Sequence, residues 1–140
     1  MPIKVYNGSA WVQVSDGTNG TNGTNGADGG NSFTTKTESS SYTLVSSDLG
    51  KLIIINGNDV TIPNNVFSAG DVISIFNKGG NAGIQTSSLI PATNVTARLG
   101  GSNITGTTKI HSKGIANIIC TEDVNNADVF IVTGQGVSQN

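Results

Sequence analysis

One histidine, one cysteine and nine acidic residues carry most of the acid–base, nucleophilic or metal chemistry open to this sequence. His111, Cys120 and either Asp123 or Asp128 have the composition of a cysteine hydrolase site. A nucleophilic thiol, however, needs a helix N-terminus or a basic cluster to lower its pKa. Cys120 instead closes the apolar run Ile115–Cys120, which reads as a strand with the thiol as a small core residue, and His111 reads as a polar loop residue. Glu122 and Asp123 are adjacent, and neighbours on a strand point to opposite faces. Glycoside hydrolysis needs two carboxyl groups facing one bond, so this pair reads as loop acids. Asn56-Gly57-Asn58-Asp59 offers oxygen ligands without the spacing of a calcium loop. Lys78-Gly79-Gly80-Asn81 lacks the frame of a phosphate loop; both segments read as turns. The expectation is a chain with no catalytic residue, no metal site and no cofactor, and therefore not an enzyme.

The elements that carry these residues are legible in the composition. Only 11% of the 140 residues are charged and the net charge is -2, so no field draws the chain to nucleic acid or to an anionic membrane. No apolar stretch approaches the ~20 residues of a membrane span, and Met1–Tyr6 lacks the apolar run of a signal peptide. A single cysteine excludes an internal disulfide. Gly, Asn, Thr and Ser make up nearly half of the chain, a mixture that disfavours helix. The apolar residues lean to Ile and Val, which suit half-buried strands.

Three segments follow. Residues 1–16 form an N-terminal anchoring segment. Ile3 and Val5 precede Asn7-Gly8-Ser9, and Trp11, Val12 and Val14 follow it, the pattern of a hairpin. A hairpin of this size cannot bury its own apolar side chains. Ile3, Val5, Tyr6, Trp11 and Val12 are therefore expected to dock on the rest of the chain, a sister chain or a larger assembly.

Residues 17–31 form the second segment. Gly17, Gly20, Gly23, Gly26 and Gly29 open five unbroken Gly-X-Y triplets. Glycine at every third position is the requirement of a triple helix, in which only a hydrogen atom fits at the shared axis. A flexible linker has no reason to keep that period. The run holds no proline, which would pre-set the extended backbone, so flanking domains would have to hold three chains in register. The leading expectation is a collagen-like or polyproline-like stalk of a homotrimer, roughly 45 Å long at ~3 Å per residue. A Gly/Thr/Asn linker, a run of Asn-Gly turns and a sheaf of glycine helices are the rival readings.

Residues 32–140 form a C-terminal β module. Strands are predicted over Phe33–Thr37, Tyr42–Val45, Lys51–Ile55, Asp59–Ile62, Asp71–Asn77, Gly83–Thr86, Asn94–Arg98, Thr107–Ile110, Ile115–Cys120 and Asp128–Val132. Turn residues separate them every 8 to 12 positions, the spacing of a β-sandwich, barrel or jelly-roll-like fold. The expected core draws on Leu44, Leu52, Ile54, Val60, Ile62, Phe67, Val72, Ile75, Ile118, Phe130 and Val132.

The opening Met1-Pro2-Ile3-Lys4-Val5-Tyr6-Asn7-Gly8-Ser9-Ala10-Trp11-Val12, followed directly by Gly-X-Y triplets, resembles the start of collagen-like virion structural proteins of tailed bacteriophages, above all those of cyanobacteria. Tyr42–Ile53, Val60–Pro63 and Phe67–Ile73 look like the β-rich modules that end phage fibres. The resemblance implies a mostly β homotrimer on the virion surface, attached by its N-terminus to other virion proteins of capsid or tail. The chain is far shorter than long fibres, which favours a short fibre, knob or capsid decoration protein. The alternative is a tail-fibre tip that binds a host receptor or surface glycan. Against that alternative, Phe67, Phe76 and Phe130 all lie in apolar strand contexts and are expected in the core.

Overall fold

The computed structural model describes residues 4–13, 33–79 and 85–140. The chain divides into two units, Met1–Asn31 and Ser32–Asn140. Ile3, Val14 and the glycines of the expected stalk (Gly17, Gly20, Gly23, Gly26 and Gly29) lie outside the described residues, as do two residues of the strand expected over Gly83–Thr86.

In the first unit β1 (Lys4–Tyr6) and β2 (Trp11–Gln13) pair antiparallel. The second unit is mostly β. Its helical content among the described residues is one 3-10 turn, Ser46–Asp48. The chain runs through β3 (Thr34–Glu38), β4 (Tyr42–Thr43), β5 (Lys51–Ile55), β6 (Val60–Ile62), β7 (Val72–Asn77) and β8 (Ser87–Pro91). Successive strands fall alternately in two sheets. β3, β5 and β7 lie parallel in one, and β4, β6 and β8 lie parallel in the other. Parallel neighbours need a crossover between them, most often a helix. Here each sheet supplies the crossover of the other, so the chain winds three times as a two-sheet solenoid.

The second half closes this winding with mostly antiparallel strands. They are β9 (Val95–Leu99), β10 (Thr108–Ile110), β11 (Ile115–Val124), β12 (Ala127–Thr133) and β13 (Val137–Gln139). The finished sheets have the orders β3-β5-β7-β11-β12-β9 and β13-β10-β8-β6-β4. Two sheets sharing one core meet the general expectation, but the parallel winding is not jelly-roll connectivity, which is antiparallel.

One apolar cluster joins both sheets: Ile53, Ile55, Ile73, Ile75, Ile118, Phe130 and Val132 from the six-stranded sheet, Val60, Ile62, Leu89 and Ile110 from the five-stranded one. Phe67 meets Phe130 edge-on, ring centroids 6.3 Å apart, a favoured aromatic geometry. Three residues expected in this core are not there. Leu52 and Ile54 are half-buried on the outward face of β5, and Val72 is 46% exposed. The run Leu52-Ile53-Ile54-Ile55 is apolar throughout, so its period could not say which residues point inward. Phe76, expected inside, also faces outward, paired with Ile54 and Ile115.

Two strands escaped the sequence pattern. β8 follows the expected Gly83–Thr86 instead of occupying it. Its serines and terminal Pro91 resemble loop, yet Pro91 ends the strand, a position that tolerates proline. β13 is short and polar between Gly136 and Asn140. β11 runs four residues beyond Cys120, through a bulge between Cys120 and Glu122. Its hairpin turns at Asn125-Asn126, both with positive φ (55° and 62°), the backbone that a tight two-residue turn demands.

Asn77 fastens the turns of the winding. Its side chain is fully buried. Its Oδ1 accepts from the Gly57 and Gly79 amides, both at 3.0 Å. Its Nδ2 donates to the carbonyls of Gln85 (3.0 Å) and Ile110 (2.9 Å). Three loop segments and the end of β10 thus converge on one satisfied amide, the condition for burying a polar group.

Candidate functional site: an exposed aromatic hairpin

The N-terminal hairpin owes its shape to Asn7. The Asn7 Oδ1 accepts from the amides of Ser9 (3.0 Å) and Ala10 (2.9 Å), and its own N–H donates to the Ala10 carbonyl at 3.0 Å. The turn is therefore an Asx-type loop closed by a side chain, with Gly8 at φ 95°. The Asn-Gly pair does act as a turn, but by this side-chain route, with only Gly8 adopting positive φ.

Register then sorts the apolar residues. Tyr6 stands opposite Trp11, and Val5 opposite Val12. The Tyr6 and Trp11 rings lie 5.4 Å apart, tilted by 54°. Successive residues on a strand point to opposite faces, so the hairpin presents aromatics on one side and valines on the other. Both sides are open: Trp11 is 68% exposed and Tyr6 54%, and Val5 and Val12 are also exposed. Four of the five expected anchoring residues are thus on one accessible hairpin; the fifth, Ile3, lies outside the described residues.

A second cluster draws together the ionisable groups of the first winding. Lys36 and Glu38 occupy β3 positions in register with the buried Ile53 and Ile55. They point inward where the next turn has isoleucines. The Lys36 ammonium donates to Asp48 Oδ1 at 3.0 Å and to the Tyr42 hydroxyl, lies 3.2 Å from Glu38, and sits 4.1 Å above the Tyr42 ring. Tyr42 donates to Asp48 Oδ2 at 2.8 Å, as does the Val45 amide at 2.9 Å. Asp48 has no exposed surface.

Lys36, Asp48 and Tyr42 are shifted. The hydrogen bond to Tyr42, with further help from Asp48 and Glu38, holds Lys36 protonated well above its ordinary value. Burial opposes ionisation of Asp48, but the bonds from Val45, Lys36 and Tyr42 outweigh it and its pKa is lowered. Burial raises that of Tyr42. Every member is paired to another, and β3 and β4 are the edges of their sheets. Inward charge on an edge strand discourages further strands from pairing there, and a polar end closes a solenoid. The cluster is a cap.

The residues weighed for catalysis are dispersed. His111 is exposed, its Nε2 2.9 Å from the Ser138 hydroxyl. Cys120 is buried in the core on β11 with its thiol directed to the Glu122 carbonyl, 3.6 Å away. Burial first, then the charges of Asp128, Asp123 and Asp71, push that thiol up and away from the thiolate form. Asp128 is buried and accepts from the Asn65 amide at 2.7 Å, while Glu122 and Asp123 are exposed on the hairpin beyond the bulge. Asn58 and Asp59 side-chain oxygens accept from the Asn56 and Ser88 amides. Among the described residues no group of three His, Cys, Asp or Glu side chains is placed to hold a metal ion. Nor, among them, is any helix long and apolar enough to cross a membrane.

Sequence reasoning found the hairpin but missed the cap, because Lys36, Tyr42 and Asp48 are brought together only by the winding. The signal was present as Lys36 among the threonines of the strand predicted over Phe33–Thr37, with Glu38 directly after it. Models of known protein families give no match to this sequence, and no curated protein matches it.

Proposed function

We propose that the chain is a non-enzymatic structural protein of a tailed-phage virion: a short trimeric surface fibre, knob or capsid decoration protein. Its N-terminal hairpin anchors it to another virion protein of the capsid or tail, residues 17–31 form a three-chain stalk, and the two-sheet module faces solvent. The observation that carries this reading is the hairpin. Tyr6, Trp11, Val5 and Val12 leave both of its faces apolar and open, directly before five Gly-X-Y triplets. Exposed aromatics of this kind supply much of the binding energy at protein interfaces. Further support comes from the aromatics of the module. Phe67 and Phe130 are occupied in the core, so these two are not free to stack on a host glycan, whereas Phe76 faces outward and Phe33 is exposed.

The test is incorporation. Deleting residues 1–15, or the change Trp11→Ala, leaves the module folded by circular dichroism and removes the protein from purified particles. Normal incorporation of the truncated chain would put the anchor in the module and reverse the proposed orientation.

A further inference from the structure

The two sheets of the module turn unlike faces outward. On the five-stranded sheet the outward positions are Thr43, Thr61, Ser88, Lys109 and Ser138, with Ile90 the single large apolar side chain. On the six-stranded sheet they include Leu52, Ile54, Phe76, Ile115, Ile119 and Ile131. They fall in two rows, Ile54, Phe76 and Ile115 in register towards one end of the face and Val72, Ile119 and Ile131 towards the other, with the Ser74–Asn117 row between them. The polar pair within it satisfies itself, Ser74 Oγ donating to Asn117 Oδ1 at 2.8 Å, and so can be covered at small cost. The strands that build the patch carry the sequence signature of strands buried on both faces, near-continuous apolar runs. A wetted sheet face would alternate instead, as the five-stranded sheet does.

We infer that this outward face of the six-stranded sheet is the surface through which copies of the chain pack against one another around a three-fold axis. The inference rests on the trimer proposed above and names its contact surface. Three observations select a sister copy as the occupant. The glycine period of residues 17–31, in the triple-helical reading proposed above, calls for three chains. The face carries no charge at its centre, so identical copies meet without like-charge repulsion; Arg98, paired with Ile131, stands on edge strand β9. Its size also fits. The whole face, six strands at ~4.8 Å and five to seven residues at ~3.3 Å, has roughly 480–670 Å² of flat area. Side-chain relief brings that towards the ~800 Å² each partner buries in a standard interface. The Lys36 cap meanwhile guards the β3 edge, which leaves face packing as the favoured mode of contact.

Native mass measurement of the purified full chain decides it. Wild type is expected at three times the 14.3 kDa chain mass. The double variant Ile54→Asp, Ile119→Asp is expected at one chain mass, a threefold drop, with its β circular dichroism retained. Thr61→Asp with Ser88→Asp, on the polar face, should keep the triple mass. If the double aspartate variant loses its β spectrum, the milder pair Ile54→Thr, Ile119→Thr replaces it and should shift the trimer–monomer midpoint to at least ~30-fold higher concentration. A folded double variant that keeps the triple mass overturns the inference, as does an unshifted midpoint. A wild-type dimer overturns it too, as does a wild-type monomer, the result expected if residues 1–31 of the same chain cover the face. Trimers that form normally but never enter particles would refute the virion reading alone.

Discussion

The Lys36 ammonium and the Asp48 carboxylate meet at 3.0 Å although Asp48 has no exposed surface. A buried carboxylate with its pKa lowered makes stability depend on pH in one direction. Asp48 contributes fully above its unfolded value of about 4, and the contribution is lost as pH falls through the lower folded value. Lys36 is raised, so its share is complete below about 10.4 and is lost only as pH rises through its folded value. The module should therefore hold a flat melting temperature through neutral pH and lose stability below about pH 4. Asp48→Asn should flatten that acid limb and cost about 1–3 kcal/mol at pH 7, since the amide puts a donor where a buried carboxylate oxygen accepted, while Lys36 keeps Glu38. Thermal melts between pH 2 and pH 9 check both.

Ile54 and Ile55 separate fold from association. Ile55→Asp, like Ile75→Asp, would bury an unpaired charge in the core and should abolish the β spectrum at 25 °C. Ile54→Asp, on the outward face, should leave that spectrum intact. His111→Ala should change stability by about 0.5 kcal/mol or less, since the ring is exposed and makes one hydrogen bond to Ser138. Urea unfolding of the set ranks them.

Asn77→Asp should cost about 3 kcal/mol or more. The substitution replaces the amide that donates to Gln85 and Ile110 with a carboxylate facing two carbonyls. Amide hydrogen exchange should then quicken at Gly57 and Gly79, whose N–H groups bond to this side chain.

Gly134 and Gly101 both have positive φ, 144° and 79°, but differ in space. A Cβ on Gly134 would come within 2.0 Å of the Ile115 carbonyl oxygen, whereas Gly101 faces open surroundings. Gly101→Ala should cost about 1 kcal/mol, the strain of the left-handed backbone alone. Gly134→Ala should cost about 3 kcal/mol or more, because β11 and the segment after β12 would have to part. Melting temperatures of the two variants settle the order.

Trp11 is the sole tryptophan and is 68% exposed. Emission from the isolated protein should sit at the red limit of a water-exposed indole. Docking of the hairpin on its partner should move it to shorter wavelength, and iodide quenching should fall in parallel. An unchanged spectrum on particles would remove Trp11 from the contact.

How far the sequence revealed this molecule depends on which signals are local. Val60 and Ile62 alternate with Asp59, Thr61 and Pro63, and period 2 placed them inside. Leu52 and Ile54 belong to an unbroken apolar run, so burial on one face and on two looked alike. Parallel pairing left no mark either, because nothing near Leu52 announces that Ser74 will stand beside it. The Lys36 cap spans only Lys36 to Asp48, but its partners meet because β3, β4 and the 3-10 turn bend round within the first turn, which no residue pattern reports. The hairpin was readable because Asn7, Gly8 and the flanking apolar residues all lie within ten positions.

The three parallel turns from β3 to β8 have a consequence for length. β5 and β6, the middle turn, each pair in parallel with the strand one turn before and the strand one turn after, so this turn meets the same kind of neighbour on either side. A copy of that turn inserted beside itself would inherit ready-made partners, while the Lys36 end and the antiparallel end stayed as they are. The module's height is then a separable property, adjustable in steps of ~4.8 Å without redesign of either terminus. A module of this build can grow taller by tandem duplication alone.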